Sequence, residues 1–181
     1  MPSGLLTTPP NSAAGAGARR VLPWVAAIGL LVVALDQISK WQVVGGLTAL
    51  PAPFVEVTGF FNLVLVCNTG ISFGLLPGDS PVKAWLLSAF ALAVVVGLMI
   101  WVRRKESRLL LVGTGLVVGG AIGNVIDRLR VGCVIDFLDF HVAGWHWPAF
   151  NVADSAITVG VVLLLVHGLF FESSDGKIEE S

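Results

Sequence analysis

Five aspartates stand close to or at the ends of long apolar runs: Asp36, Asp127, Asp136, Asp139 and Asp154. An ionisable group at such a depth is expensive to hold, so its default reading is a functional one. Asp136 lies in "VIDFLDF" (134–140), with no basic neighbour in sequence, Asp139 three residues on and His141 five. A lone carboxyl among Val, Ile, Phe and Leu has a raised pKa unless something pairs with it. Two carboxyls in one partly dry site do not both ionise easily, so one keeps a proton and the site holds an acid and a base together. Such a pair can activate a water and protonate a departing amine with neither a metal nor a covalent intermediate. Spacing alone leaves open which of the five come together.

Each charged residue also has a plainer reading. Asp36 and Lys40 are spaced i, i+4 and can pair on one helix face, as a structural salt bridge or as part of a substrate-shaping surface. Asn124, Asp127 and Arg128 share a face, and an Asp–Arg pair closing a helix end is the favoured reading there. Asn151 suits an N-cap, which places Asp154 at the third helical position in a capping-box arrangement, and Pro148 upstream agrees with a helix start. The histidines (His141, His146, His167) form no HExxH motif, and no metal or cofactor is expected. The serines lack a GxSxG elbow. Cys67 and Cys133 could form one disulfide, but their spacing matches no metal motif and two buried free thiols are the favoured reading.

The elements that must position these groups follow from composition. Of 181 residues, 55% are hydrophobic and only 13% charged, too apolar for a soluble domain of this length. The net charge of −1 argues against a nucleic-acid partner. Four apolar stretches, at about 22–40, 84–102, 109–127 and 153–171, match the ~20 residues a helix needs to cross a bilayer. Arg19, Arg20, Arg103, Arg104, Lys105, Arg108 and Lys177 fall on one side of these spans, and Lys40, Lys83, Arg128 and Arg130 on the other. The positive-inside rule puts the first group and both termini in the cytoplasm, and the aspartates outside. Residues 1–18 read as a disordered extension and 173–181 as an acidic cytoplasmic tail. Residues 41–83, rich in β-branched and aromatic residues, predict a small outer sheet between the first two helices. Residues 128–152 form a second outer loop, with "WHWPAF" as an interfacial anchor. Gly115, Gly119 and Gly123 mark a close-packing face on the third span, with a lipid groove as the alternative.

Five blocks then line up: "DQISK" (36–40), "NTGISFG" (68–74), "GGAIGNVIDR" (119–128), "VIDFLDF" (134–140) and "FNVADSAI" (150–157). In this order they resemble the signature of lipoprotein signal peptidase, or signal peptidase II, over roughly 22–171. The resemblance implies an all-α membrane protein of four transmembrane helices with a small extracytoplasmic sheet, and a peptidase domain over 19–172 in the bacterial cytoplasmic membrane. It implies an aspartyl endopeptidase, sufficient as a monomer, that cuts prolipoproteins before a diacylglyceryl-modified cysteine. Its catalytic dyad matches Asp136 and Asp154, at the outer leaflet. Residues that line or support the site match Asp36, Lys40, Asn68, Gly70, Asn124, Asp127, Arg128, Asn151 and Ala153. The implied partners are the lipid-modified prolipoprotein and membrane lipids. A proton-coupled transporter is the rival class, but it tends to hold its carboxylates near the midplane and to show repeated halves. A scaffold subunit, the other rival, would use the glycine face and tolerate loss of Asp136.

Overall fold

The computed structural model describes residues 13–70, 81–103, 105 and 107–170. Four helices, α1 (Ala13–Leu47), α2 (Pro81–Val102), α3 (Arg108–Val131) and α4 (Val152–Phe170), are each long and apolar enough to cross a membrane. Between them lie β1 (Phe54–Thr58), β2 (Phe61–Asn68), β3 (Val134–Val142) and β4 (Trp145–His146). The expected extension meets the structure only at 13–18, which are helical; 1–12 and the tail at 173–181 lie outside the described residues.

Helix α1 continues seven residues past Lys40, where the sequence reading ended the span. Lys40 carries no penalty that would stop the helix, because two carboxylates neutralise it at 2.8 and 2.6 Å. Helix α3 is the central element and the most buried of the four spans. Its glycines are close-packing positions. A Cβ on Gly119 would lie 2.7 Å from the Gly29 carbonyl oxygen, and one on Gly123 would lie 2.7 Å from Asp36 Oδ2. The helix backbones can approach only because those side chains are absent.

The strands form one antiparallel sheet in the order β1-β2-β3-β4. Half of it comes from the loop between α3 and α4, where the sequence reading expected no strand. "VIDFLDFHV" is rich in β-branched and aromatic residues, as strands are, but its two aspartates run against strand preference and weaken that signal. Gly132, at φ 82°, caps α3 in the left-handed conformation and turns the chain directly into β3.

Cys67 and Cys133 are disulfide-bonded, with Cα atoms 5.5 Å apart, which overturns the free-thiol reading. The β2–β3 register sets Cys67 opposite Ile135 and Asn68 opposite Val134, so Cys133 arrives beside Cys67. A sequence separation of 66 residues carries no trace of this.

Candidate active site

Asn151 is the N-cap of α4 and is fully buried. Its Oδ1 accepts the Asp154 N–H at 2.9 Å, and Asp154 Oδ2 accepts the Asn151 N–H at 3.3 Å. This reciprocal pair is the expected capping box. The same asparagine has a second task. Its Nδ2 donates to Asp136 Oδ1 at 2.7 Å, so one residue ties the carboxyl at the start of α4 to the carboxyl of β3.

The remaining acceptor positions are filled in the same manner. Asp136 Oδ2 accepts from Asn68 Nδ2 at 2.8 Å, and Asp154 Oδ1 accepts from Asn124 Nδ2 at 2.7 Å. Asn124 Oδ1 in turn accepts from Asn151 Nδ2 and from Lys40 Nζ, both at 3.2 Å. Three asparagines therefore hold two carboxyls, with amides oriented by the groups behind them. Asn68 is itself fixed by an Asx turn: its Oδ1 accepts the Gly70 N–H at 2.8 Å. Gly70 has φ 87°, and a Cβ there would meet Leu87 at 2.6 Å, so both the backbone and the space call for glycine.

Beneath this layer lies an ionic one. Lys40, 2% exposed, sits between Asp36 and Asp127. The i, i+4 pair of Asp36 and Lys40 is present as expected. Asp127, however, pairs with Lys40 across two helices, and no Asp127–Arg128 bridge forms among the described residues. Adjacent helical residues do not face each other, so Arg128 points elsewhere. Its guanidinium lies near Gly70, within electrostatic reach of Asp154, Asp127 and Asp136, and makes no hydrogen bond to the described residues. Both buried carboxylates also accept a backbone N–H: Asp36 Oδ1 that of Ala153 at 2.9 Å, and Asp127 Oδ2 that of Ile135 at 3.2 Å. Ala153 precedes Asp154, and Ile135 precedes Asp136.

Burial pushes the Asp136 carboxyl up to about 6. The Asn68 hydrogen bond works against that rise, and the charge of Asp154 adds to it. Asp139 does not join the pair. It accepts from Asn62 Nδ2 at 2.8 Å and lies 2.9 Å from His146 Nδ1, across the β3–β4 hairpin. Burial alone would raise the Asp139 pKa, but Asn62 and His146 together hold it below the ordinary carboxylate range. Among the described residues no cluster of three His, Cys, Asp or Glu side chains is placed to hold a metal ion.

One contributor escaped the sequence reading. Gln37 Nε2 donates to Asp127 Oδ1 at 2.9 Å and lies 3.3 Å from the Gly123 carbonyl. A primary amide inside an apolar span was the available signal.

A family profile described as "Signal peptidase (SPase) II" matches residues 28–170. A lipoprotein signal peptidase of Burkholderia vietnamiensis is 47% identical over 148 residues, covering 81% of this chain and 87% of that one. One of Cupriavidus taiwanensis is 48% identical over 157 residues, covering 85% and 86%. A solved structure described as a bacterial membrane enzyme, determined in meso at 1.9 Å resolution, matches with a TM-score of 0.68 at 30% identity, covering 81% of this chain and 93% of that one.

Proposed function

The chain belongs to the signal peptidase II family, membrane proteases that remove lipoprotein signal peptides, and from that premise we propose that Asp136 and Asp154 are its catalytic pair. The observation that carries this reading is Asn151, which is itself buried and holds both carboxyls in one site. The two share a proton and hold a water between them. The ionised one takes a proton from the water as it attacks the carbonyl before the lipidated cysteine, and the protonated one polarises that carbonyl, then protonates the leaving amine. Asn68, Asn124 and Asn151 keep the carboxyls aimed, while Arg128, within electrostatic reach of both, orients the scissile strand. Asp36, Lys40, Asp127, Gly70 and Ala153 set the backbone on which these groups sit.

The basic cluster at Arg103–Arg108 supports a cytoplasmic α2–α3 connection, cytoplasmic termini and a site at the outer leaflet, by the positive-inside rule. The apolar signal peptide then lies among the spans, the lipid of the substrate between helices, and the mature part outside. One copy of the chain supplies every group named. Asp136→Asn and Asp154→Asn are each expected to lower cleavage of a diacylglyceryl-modified precursor by at least about 10³-fold while the protein still inserts. Normal turnover by either variant overturns the pair.

A further inference from the structure

Alternation along β3 puts Asp136, Leu138, Phe140 and Val142 on one face of the strand. Exposure climbs along that face, from 1% at Asp136 to 40% at Phe140 and 71% at Val142. The face therefore opens outward from the buried Asp136 carboxyl. Where it opens there is a cavity of about 430 Å³ lined by Phe60, Phe140, Val142, Trp145, Trp147 and Phe150. Phe140 stacks on Phe61 at 4.8 Å and on Phe150 at 5.9 Å, which makes a rigid aromatic floor. Phe150 leads directly into Asn151, so floor and catalytic site share one stretch of backbone. His141 closes the wall. Its Nε2 is buried and has no hydrogen-bond partner among the described residues. The His141 ring stacks on that of His146 at 4.9 Å, on the strand face that also carries Asp139.

We propose that this cavity is a specificity subsite for the mature side of the precursor, taking an apolar or aromatic side chain about four residues beyond the scissile bond. The distance follows from the strand: four residues at ~3.3 Å each separate Phe140 from Asp136 by about 13 Å, the reach of four extended substrate residues. The direction follows from the bilayer. An apolar signal peptide stays among the spans, so only the mature part can pass along a sheet outside them. The subsite rests on the assignment of Asp136 and Asp154 as the catalytic pair.

The test uses the purified full chain and lipid-modified precursor peptides with one signal sequence and one lipidated cysteine. They differ only in carrying Phe, Leu, Gly or Asp at each of the third to fifth positions after the cleavage. At one of these positions Phe or Leu is expected to raise kcat/KM over Gly by about tenfold, through KM. Trp145→Ala and, separately, Val142→Asn should bring that ratio close to one. Because the readout is a ratio, general damage to the enzyme does not imitate it. Equal kcat/KM for all precursors with the unaltered protein overturns the subsite, including the case in which the aromatic face engages lipid instead. A preference that survives both substitutions also overturns it. Cleavage of the Gly precursor by Asp136→Asn would refute the catalytic pair and leave the ratio unaffected, so the two failures are distinct.

Discussion

Asp36 reaches from the first helix to the backbone N–H of Ala153 at the start of the last, at 2.9 Å, one residue before Asp154. Asp127 makes the matching bond to Ile135, one residue before Asp136, at 3.2 Å. Lys40 lies between the two carboxylates. The spacing of the proposed catalytic pair is thus set by a single ammonium group holding two anchors, each of which grips the backbone next to one aspartate.

Lys40→Met leaves two buried carboxylates without their counter-ion. Removing one partner of a buried ion pair typically costs about 3–5 kcal/mol. The variant should lose most of its folded fraction in detergent and its cleavage activity. Asp36→Asn keeps an oxygen for the Ala153 N–H and should be milder than Asp36→Leu in relative kcat. Equal losses in the two Asp36 variants would remove the anchoring role.

Gly123→Ala and Gly119→Ala separate position from stability. The added methyl at 123 meets Asp36 Oδ2, and that at 119 meets the Gly29 backbone, both at 2.7 Å. Gly119→Ala should cost roughly 1–3 kcal/mol by forcing helices apart. Gly123→Ala should cut kcat at least about tenfold at a smaller loss of thermal stability, since it displaces the anchor of α4. Thermal unfolding and initial rates on the same samples check this.

Asp136 gives stability a pH dependence of known sign. Its folded value of about 6 lies above the ~3.9 of an unfolded carboxyl, so between these values the folded chain binds more protons. The stabilisation is full below about pH 4 and is lost as pH rises through about 6, with an upper limit of ~3 kcal/mol. Asp136→Asn does not titrate. It should therefore gain stability relative to the unaltered chain as pH rises from 4 to 7, measured by unfolding at matched ionic strength.

The Cys67–Cys133 bond ties β2 to the entry of β3, one residue from Asn68 on one side and from Val134 on the other. A disulfide typically contributes about 2–4 kcal/mol, toward the upper end for a long loop such as this one. Reductant should lower the unfolding temperature of the native chain and leave a Cys67→Ala/Cys133→Ala variant unmoved.

Asp139→Asn provides the internal control for the proposed catalytic pair. Asp139 bonds Asn62 and His146 rather than either carboxyl of that pair. Cleavage of a Gly-bearing precursor should stay within about tenfold of normal, while Asp136→Asn abolishes it.

Hydropathy and helical spacing made the spans, the Asp36–Lys40 pair and the Asn151–Asp154 cap legible in the sequence. All three depend on neighbours within four residues or on runs of about twenty. What was not legible depends on register between distant strands. The disulfide, the partner of Asp127 and the second half of the sheet are of that kind. The separation of Asp139 from Asp136 could have been read, because residues three apart in a strand point to opposite faces. It required recognising 134–142 as a strand, and a segment with two aspartates in nine residues does not invite that.

The bond from Asp36 to Ala153 joins residues 117 positions apart. Its consequence concerns the chain while it is being made. A nascent polypeptide halted before Asn151 lacks the Asn151 clamp, the Ala153 N–H that Asp36 grips and Asp154 together. On the proposed pairing, the site is therefore completed late, when the last helix docks.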